Sequence, residues 1–126
     1  MRELVLVSCI ANPAATTDAD TVAVGLLAGE APAHTPPELA ALIDSGEARS
    51  AFKALAVTHA QGKRWLLVGL GARAELTPER ARAAAATAHE RVRELSTRTL
   101  CWQAPADVEH PLHAALVEGT ILASYR

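Results

Sequence analysis

Trp65-Leu66-Leu67-Val68-Gly69-Leu70-Gly71, followed by Thr77-Pro78-Glu79 and an alanine-rich run, is the stretch that decides the fold. Its near-continuous apolarity predicts a strand over residues 65–70, set centrally in a sheet. Thr77 then supplies an N-cap. Pro78 takes the first helical position, where a missing N–H costs nothing, and Glu79 complements the helix dipole. Ala81, Ala84, Ala85, Ala88, Val92 and Leu95 recur at helical spacing and define one buried stripe. Arg80, Arg82, Glu90, Arg91, Arg93 and Glu94 fall mostly on the other faces.

Outward from this unit, residues 3–10 read Glu-Leu-Val-Leu-Val-Ser-Cys-Ile, a short strand apolar on both faces. Residues 21–27, Thr-Val-Ala-Val-Gly-Leu-Leu, make a second strand, in which Gly25 signals a bulge or a close backbone approach. Thr35 is placed to cap a helix with Pro36 and Pro37 in its first turn. Leu39, Leu42 and Ile43 form that helix's stripe, and Asp44-Ser45-Gly46 ends it. Residues 50–59 read as a strand entering a Gln61-Gly62-Lys63 turn. Residues 98–103 form another strand, broken by Pro105. Pro111 opens a last helix through Leu112, Ala115, Leu116, Gly119, Leu122 and Ala123. No C-cap signal precedes Arg126, as expected of a chain cut from a longer protein. The order β, β, α, β, β, α, β, α predicts an α/β fold with a mixed sheet between helices, as one domain over residues 1–126.

Composition narrows the class without naming an activity. The 126 residues include 28 alanines but only four aromatic side chains, Phe52, Trp65, Trp102 and Tyr125. The core must therefore be built from Leu, Val, Ile and Ala. Twelve basic residues face fourteen acidic ones, for a formal charge of −2. That argues against nucleic acid and against an anionic-membrane anchor, both of which need clustered positive charge. No apolar run reaches the ~20 residues of a membrane span, and the N-terminus lacks the apolar core of a signal peptide. Cys9 and Cys101 sit in apolar runs as buried free thiols. A reducing, cytoplasmic setting is expected.

The motifs that could carry chemistry are thin. Gly69-Leu70-Gly71-Ala72-Arg73-Ala74 satisfies G-x-G-x-x-A after a strand, the form in which backbone N–H groups meet a pyrophosphate. The helix cap, however, comes several residues late at Thr77, and Glu75 and Glu79 stand where a phosphate should sit. A tight structural turn is the better reading. His110 and His113 share a helix-face spacing but lack a third metal ligand. His34 and His89 read as surface residues, and His59 as a strand end. Ser8 and Cys9 lie in a strand with no base beside them in sequence. Asp18, Asp20, Asp44 and Glu47 show no paired spacing. No catalytic, cofactor-binding or metal-binding residue is assigned to this chain.

The same residues carry a resemblance. The L-V-G-L-G run at residues 67–71, the Leu76-Thr77-Pro78-Glu79 helix start, and the closing Glu118-Gly119 with Tyr125-Arg126 resemble the N-terminal domain of the leucyl (cytosol) aminopeptidase family. The acidic turn Asp18-Ala19-Asp20 also fits, and the resemblance runs in order along the chain. It implies a three-layer, macro-domain-like fold. It further implies a whole protein that is a metalloaminopeptidase with two Zn or Mn ions, assembled as a hexamer. The family's G-K-G-x-x-[FY]-D-[ST]-G-G and N-T-D-A-E-G-R-L motifs are absent from these residues, so no catalytic position carries over. The expected role is packing on a C-terminal catalytic domain and supporting assembly or access. The alternative is a stand-alone macro-type module binding ADP-ribose or another nucleotide through Gly69–Gly71 and an aspartate, Asp18 or Asp20.

Overall fold

In the computed structural model, residues 6–9, 19–30, 32, 36–95, 97–103, 105, 108 and 110–123 are described. Five strands and three α-helices alternate in the expected order: β1 (Leu6–Cys9), β2 (Thr21–Leu27), α1 (Pro37–Asp44), β3 (Leu55–Ala60), β4 (Lys63–Gly71), α2 (Pro78–Glu94), β5 (Thr99–Gln103) and α3 (His110–Ala123). A 3₁₀ turn, Arg73–Glu75, links β4 to α2. The sheet order is β1-β5-β2-β4-β3. The first four strands run parallel and β3 closes one edge antiparallel to β4. The sheet is therefore mixed, as read, and β4 is an interior strand with β2 in the middle.

Period-two alternation along β2 and β4 sorts the core into two layers. Val22, Val24 and Leu26 with Trp65 and Leu67 meet Leu39 of α1 on one face. Ala23, Leu66, Val68 and Leu70 turn the other way, onto the alanine stripe of α2 together with Leu100, Trp102, Ala115 and Leu116. Helix, sheet and helix pair make three layers. Trp65 is wholly buried and its indole N–H donates to Ala60 O at 3.0 Å, so its polar atom is satisfied inside the core.

Local chemistry explains most boundaries. Thr77 Oγ1 accepts from Arg80 N at 3.2 Å, the expected cap of α2. The β3–β4 hairpin has a two-residue loop whose two residues, Gln61 and Gly62, have φ of 52° and 75°. Such a turn needs positive φ at both positions, and the glycine supplies one without strain.

Four expectations need correction. Pro36, not Thr35, occupies the N-cap of α1 and makes no side-chain cap bond; Thr35 lies outside the described residues. Residues 50–54 are turn rather than strand, because their backbone is bent over the end of β4. His89 is buried at 2% exposure, not solvated. It lies one residue beyond Ala88 on the inward side of α2, where packing rather than polarity sets exposure. Gly25 does mark a close approach, but to side chains: a Cβ there would lie 2.7 Å from Leu70 Cδ1 and 3.2 Å from Pro105 Cδ. The register shift in β2 comes later, between Leu26 and Leu27.

Candidate functional site

Helix α1 leaves β2 toward one face of the sheet and α2 leaves β4 toward the other. Between neighbouring parallel strands, that divergence opens a crevice at their carboxyl ends, the usual ligand position in α/β sheets. The end of β4 carries the Gly69–Gly71 turn, and the end of β2 carries Ala28-Gly29-Glu30.

The turn at Gly69 and Gly71 has no free cradle for a phosphate. Gly69 N donates to Ala54 O and Gly71 N to Ser50 O, both at 2.8 Å. Lys53 N returns a bond to Gly69 O at 2.9 Å, and Ala28 N reaches Gly71 O at 3.0 Å. A Cβ at Gly69 would collide with the Ala51 carbonyl oxygen and stand 2.9 Å from Arg49 O. Gly71 has φ of 83°, which any side chain would strain. Both glycines are thus accounted for by the segment 49–54 folding over the strand end.

Asp20 lies at the opposite end of the sheet. Its carboxylate accepts from Thr21 Oγ1 (2.8 Å), Arg98 N (3.1 Å) and Thr99 N (3.4 Å), and its own N–H donates to Thr99 Oγ1 at 2.8 Å. Arg64 N donates to Asp20 O, so Asp20 neighbours the first residues of β4. At ~3.3 Å per residue, the length of β4 separates it by roughly 20 Å from Gly71. It pins the starts of β2, β4 and β5 in register and cannot share a ligand with Gly69–Gly71. Asp18, the other aspartate considered, lies outside the described residues.

The remaining reactive side chains stay apart. Cys101 is a free thiol with no exposed surface. Cys9, Ser8 and His110 have backbone positions on β1 and α3, but their side chains, like all of His34, lie outside what is described. His59 is exposed at the edge strand, where it was expected. Among the described residues no group of three or more His, Cys, Asp or Glu is placed to hold a metal ion.

A cleft of about 570 Å³ lies beside the end of β2, on the α1 side. Leu26, Ile43 and Ala48 give it an apolar wall, with Glu30 and Arg49 also lining it. Glu30 is gripped by Arg73 in a fork: Nε to Oε2 at 2.8 Å and Nη2 to Oε1 at 2.7 Å. Those hydrogen bonds hold the Glu30 carboxyl below its ordinary pKa.

The closing motif becomes legible at the contact of α3 with α2. Glu118 pairs with Arg82 at 3.3 Å. A Cβ on Gly119 would lie 2.5 Å from Arg82 O and 3.0 Å from Ala85 Cβ, so only glycine lets the two helices approach this closely. Thr120 Oγ1 accepts the buried Trp102 indole N–H at 3.0 Å and donates to Leu116 O. Three consecutive residues therefore lock α3 to α2 and to β5. The sequence flagged Gly119 only as part of a motif; its helix partner appears with the fold.

The model of the N-terminal domain of the cytosol aminopeptidase family matches residues 12–126. The chain belongs to the cytosol aminopeptidase family. None of the curated proteins compared with it matches. Among solved structures it is similar to the bottromycin maturation enzyme BotP, with TM-score 0.66 and 27% identity over 86% of this chain and 24% of that one. The same enzyme in complex with Mn gives 0.66 and 28%, over 86% and 23%. A point mutant of tomato leucine aminopeptidase aligns over 99% of this chain and 29% of its own, with TM-score 0.72. At 14% identity that likeness is one of fold. This cytosol aminopeptidase N-terminal domain thus spans roughly a quarter of the length of the proteins it resembles. No helix among its described residues is long and apolar enough to cross a membrane.

Proposed function

We propose that residues 1–126 act as a single non-catalytic N-terminal domain of a metal-dependent aminopeptidase. In this reading the domain packs on a C-terminal catalytic domain and supports subunit assembly or substrate access. The whole enzyme removes N-terminal residues from peptides, works in the cytoplasm as a hexamer, and keeps two Zn or Mn ions in the catalytic domain. The observation that carries the reading is the family match over residues 12–126. Coverage of only 23–29% of the matched structures supports a partner domain elsewhere in the whole protein. The residues the sequence singles out also fit a structural role: Gly69 and Gly71 are held by backbone bonds, Asp20 by its carboxylate, and Gly119 lets two helices meet. In this reading the metal ligands belong to the catalytic domain.

The test is hydrolysis of a leucine chromogenic amide by the pure chain supplied with Zn or Mn. A rate equal to the metal-only blank is expected. Metal-dependent turnover above the blank that co-purifies with the chain would overturn the assignment.

A further inference from the structure

The cleft beside β2 has a chemistry that the structural roles above leave unused. Its volume of about 570 Å³ falls in the range of small-molecule sites, and it lies at the carboxyl end of β2, between that exit, the end of α1 and residues 46–51. Its wall is apolar through the half-buried Ile43, backed by Leu26 and Ala48 of the same core layer. Its charge is lopsided in a specific way. Glu30 is already balanced by the fork from Arg73. Arg49 is exposed, lines the same cleft, and makes no ion pair or hydrogen bond through its guanidinium among the described residues. Two backbone bonds fix the spacing of the two rims. Ala28 N and Ser50 O both bond Gly71, from opposite sides, at 3.0 and 2.8 Å. The exit of β2 and the segment bearing Arg49 therefore stand about two strand spacings apart, roughly 10 Å.

One uncompensated guanidinium beside an apolar wall selects a monoanion with an aliphatic tail. A pyrophosphate would leave most of its charge unmatched, facing Glu30, and the nearby Gly69 and Gly71 amides are engaged. We propose that this cleft binds a small aliphatic carboxylate. The carboxylate sits on Arg49 in a charge-assisted, two-bond pair, and the tail lies against Ile43, with Leu26 and Ala48 behind it. The site is separate from peptidase chemistry and stands whether or not the proposed function holds. Free aliphatic amino acids and plain aliphatic acids share this chemistry. An amino acid differs in bringing an ammonium group that the outer lone pairs of Glu30 can accept.

The test is amide NMR titration of the 126-residue chain with 4-methylpentanoate, leucine and 3-methylbutylamine, each to about 10 mM, ample for a ~1 mM site. Both carboxylates should perturb amides around residues 26–30 and 43–51, and the amine should not. Leucine binding more tightly than 4-methylpentanoate identifies amino acids as the source; the reverse order identifies plain acids. Arg49→Ala should weaken binding about tenfold or more while leaving the unliganded melting temperature unchanged, and Arg49→Lys should recover part of the affinity. Absence of perturbation by either acid, equal binding to Arg49→Ala, or an equal response to the amine would overturn the site.

Discussion

Replacing Gly69 by alanine isolates the reason this chain carries glycine at the end of its strongest strand. The new Cβ would occupy the place of the Ala51 carbonyl oxygen and crowd Arg49 O at 2.9 Å, both backbone atoms that cannot rotate away. Segment 49–54 would have to lift off β4. That move strains or breaks the bonds Gly69 N to Ala54 O, Lys53 N to Gly69 O and Gly71 N to Ser50 O. With each bond worth about 1 kcal/mol net and the remaining overpacking about 1 kcal/mol or more, the loss should reach roughly 3–5 kcal/mol. For a chain of this size each kcal/mol is about 4 °C, so the melting temperature should fall by roughly 12–20 °C. Gly29→Ala is the internal control. Gly29 has φ of +74° and nothing within 4 Å of its Cβ position, so it carries only the left-handed penalty of about 1–2 kcal/mol. Differential scanning calorimetry of the two variants reads the comparison. A Gly69→Ala protein no less stable than Gly29→Ala would refute the claim that this glycine exists for the 49–54 overlay.

Three further outcomes follow from named contacts. Thr120→Val keeps the shape but strands the buried Trp102 indole N–H, and should cost about 1–3 kcal/mol in urea unfolding; an unchanged midpoint would remove that bond from the account. Glu30→Gln tests the Arg73 fork. Folding lowers the Glu30 pKa, first through the Arg73 hydrogen bonds, against some desolvation and with help from the Arg73 charge. Its stabilising effect is therefore present above the unfolded carboxyl pKa and is lost as pH falls through the folded value. The wild-type advantage over Glu30→Gln should be small, visible near about pH 7, weaker in salt, and should shrink as pH falls through the folded Glu30 value. A larger advantage in acid would reverse the sign and contradict the pairing. Cys101, with no exposed surface, should resist a thiol reagent in the folded chain and react once denaturant is added; peptide mapping that finds it labelled at a free-thiol rate in buffer would contradict its burial.

The parts of the fold written locally in the sequence were readable there, and the parts written by contact were not. Thr77 caps α2 through Arg80 N, within four consecutive residues, and the spacing of Ala81, Ala84, Ala85 and Ala88 states which face is buried. By contrast, residues 50–54 look like the front of a strand until Gly69 is seen to hold them over β4. His89 looks polar in isolation, yet it is buried because the inward side of α2 faces a sheet and a second helix. Asp20 was noticed as part of an acidic turn, but only the parallel pairing of β2 with β5 explains its bonds to Arg98 and Thr99. The cleft was invisible for the same reason. Its wall and its charges come from β2, α1 and residues 48–51, which no linear motif joins.

The central claim, that this domain serves a catalytic partner, is tested most directly by the reading frame beyond codon 126. The transcript is expected to continue in frame into a domain carrying an N-T-D-A-E-G-R-L motif. A stop codon immediately after Arg126, or an unrelated domain in that frame, would contradict it.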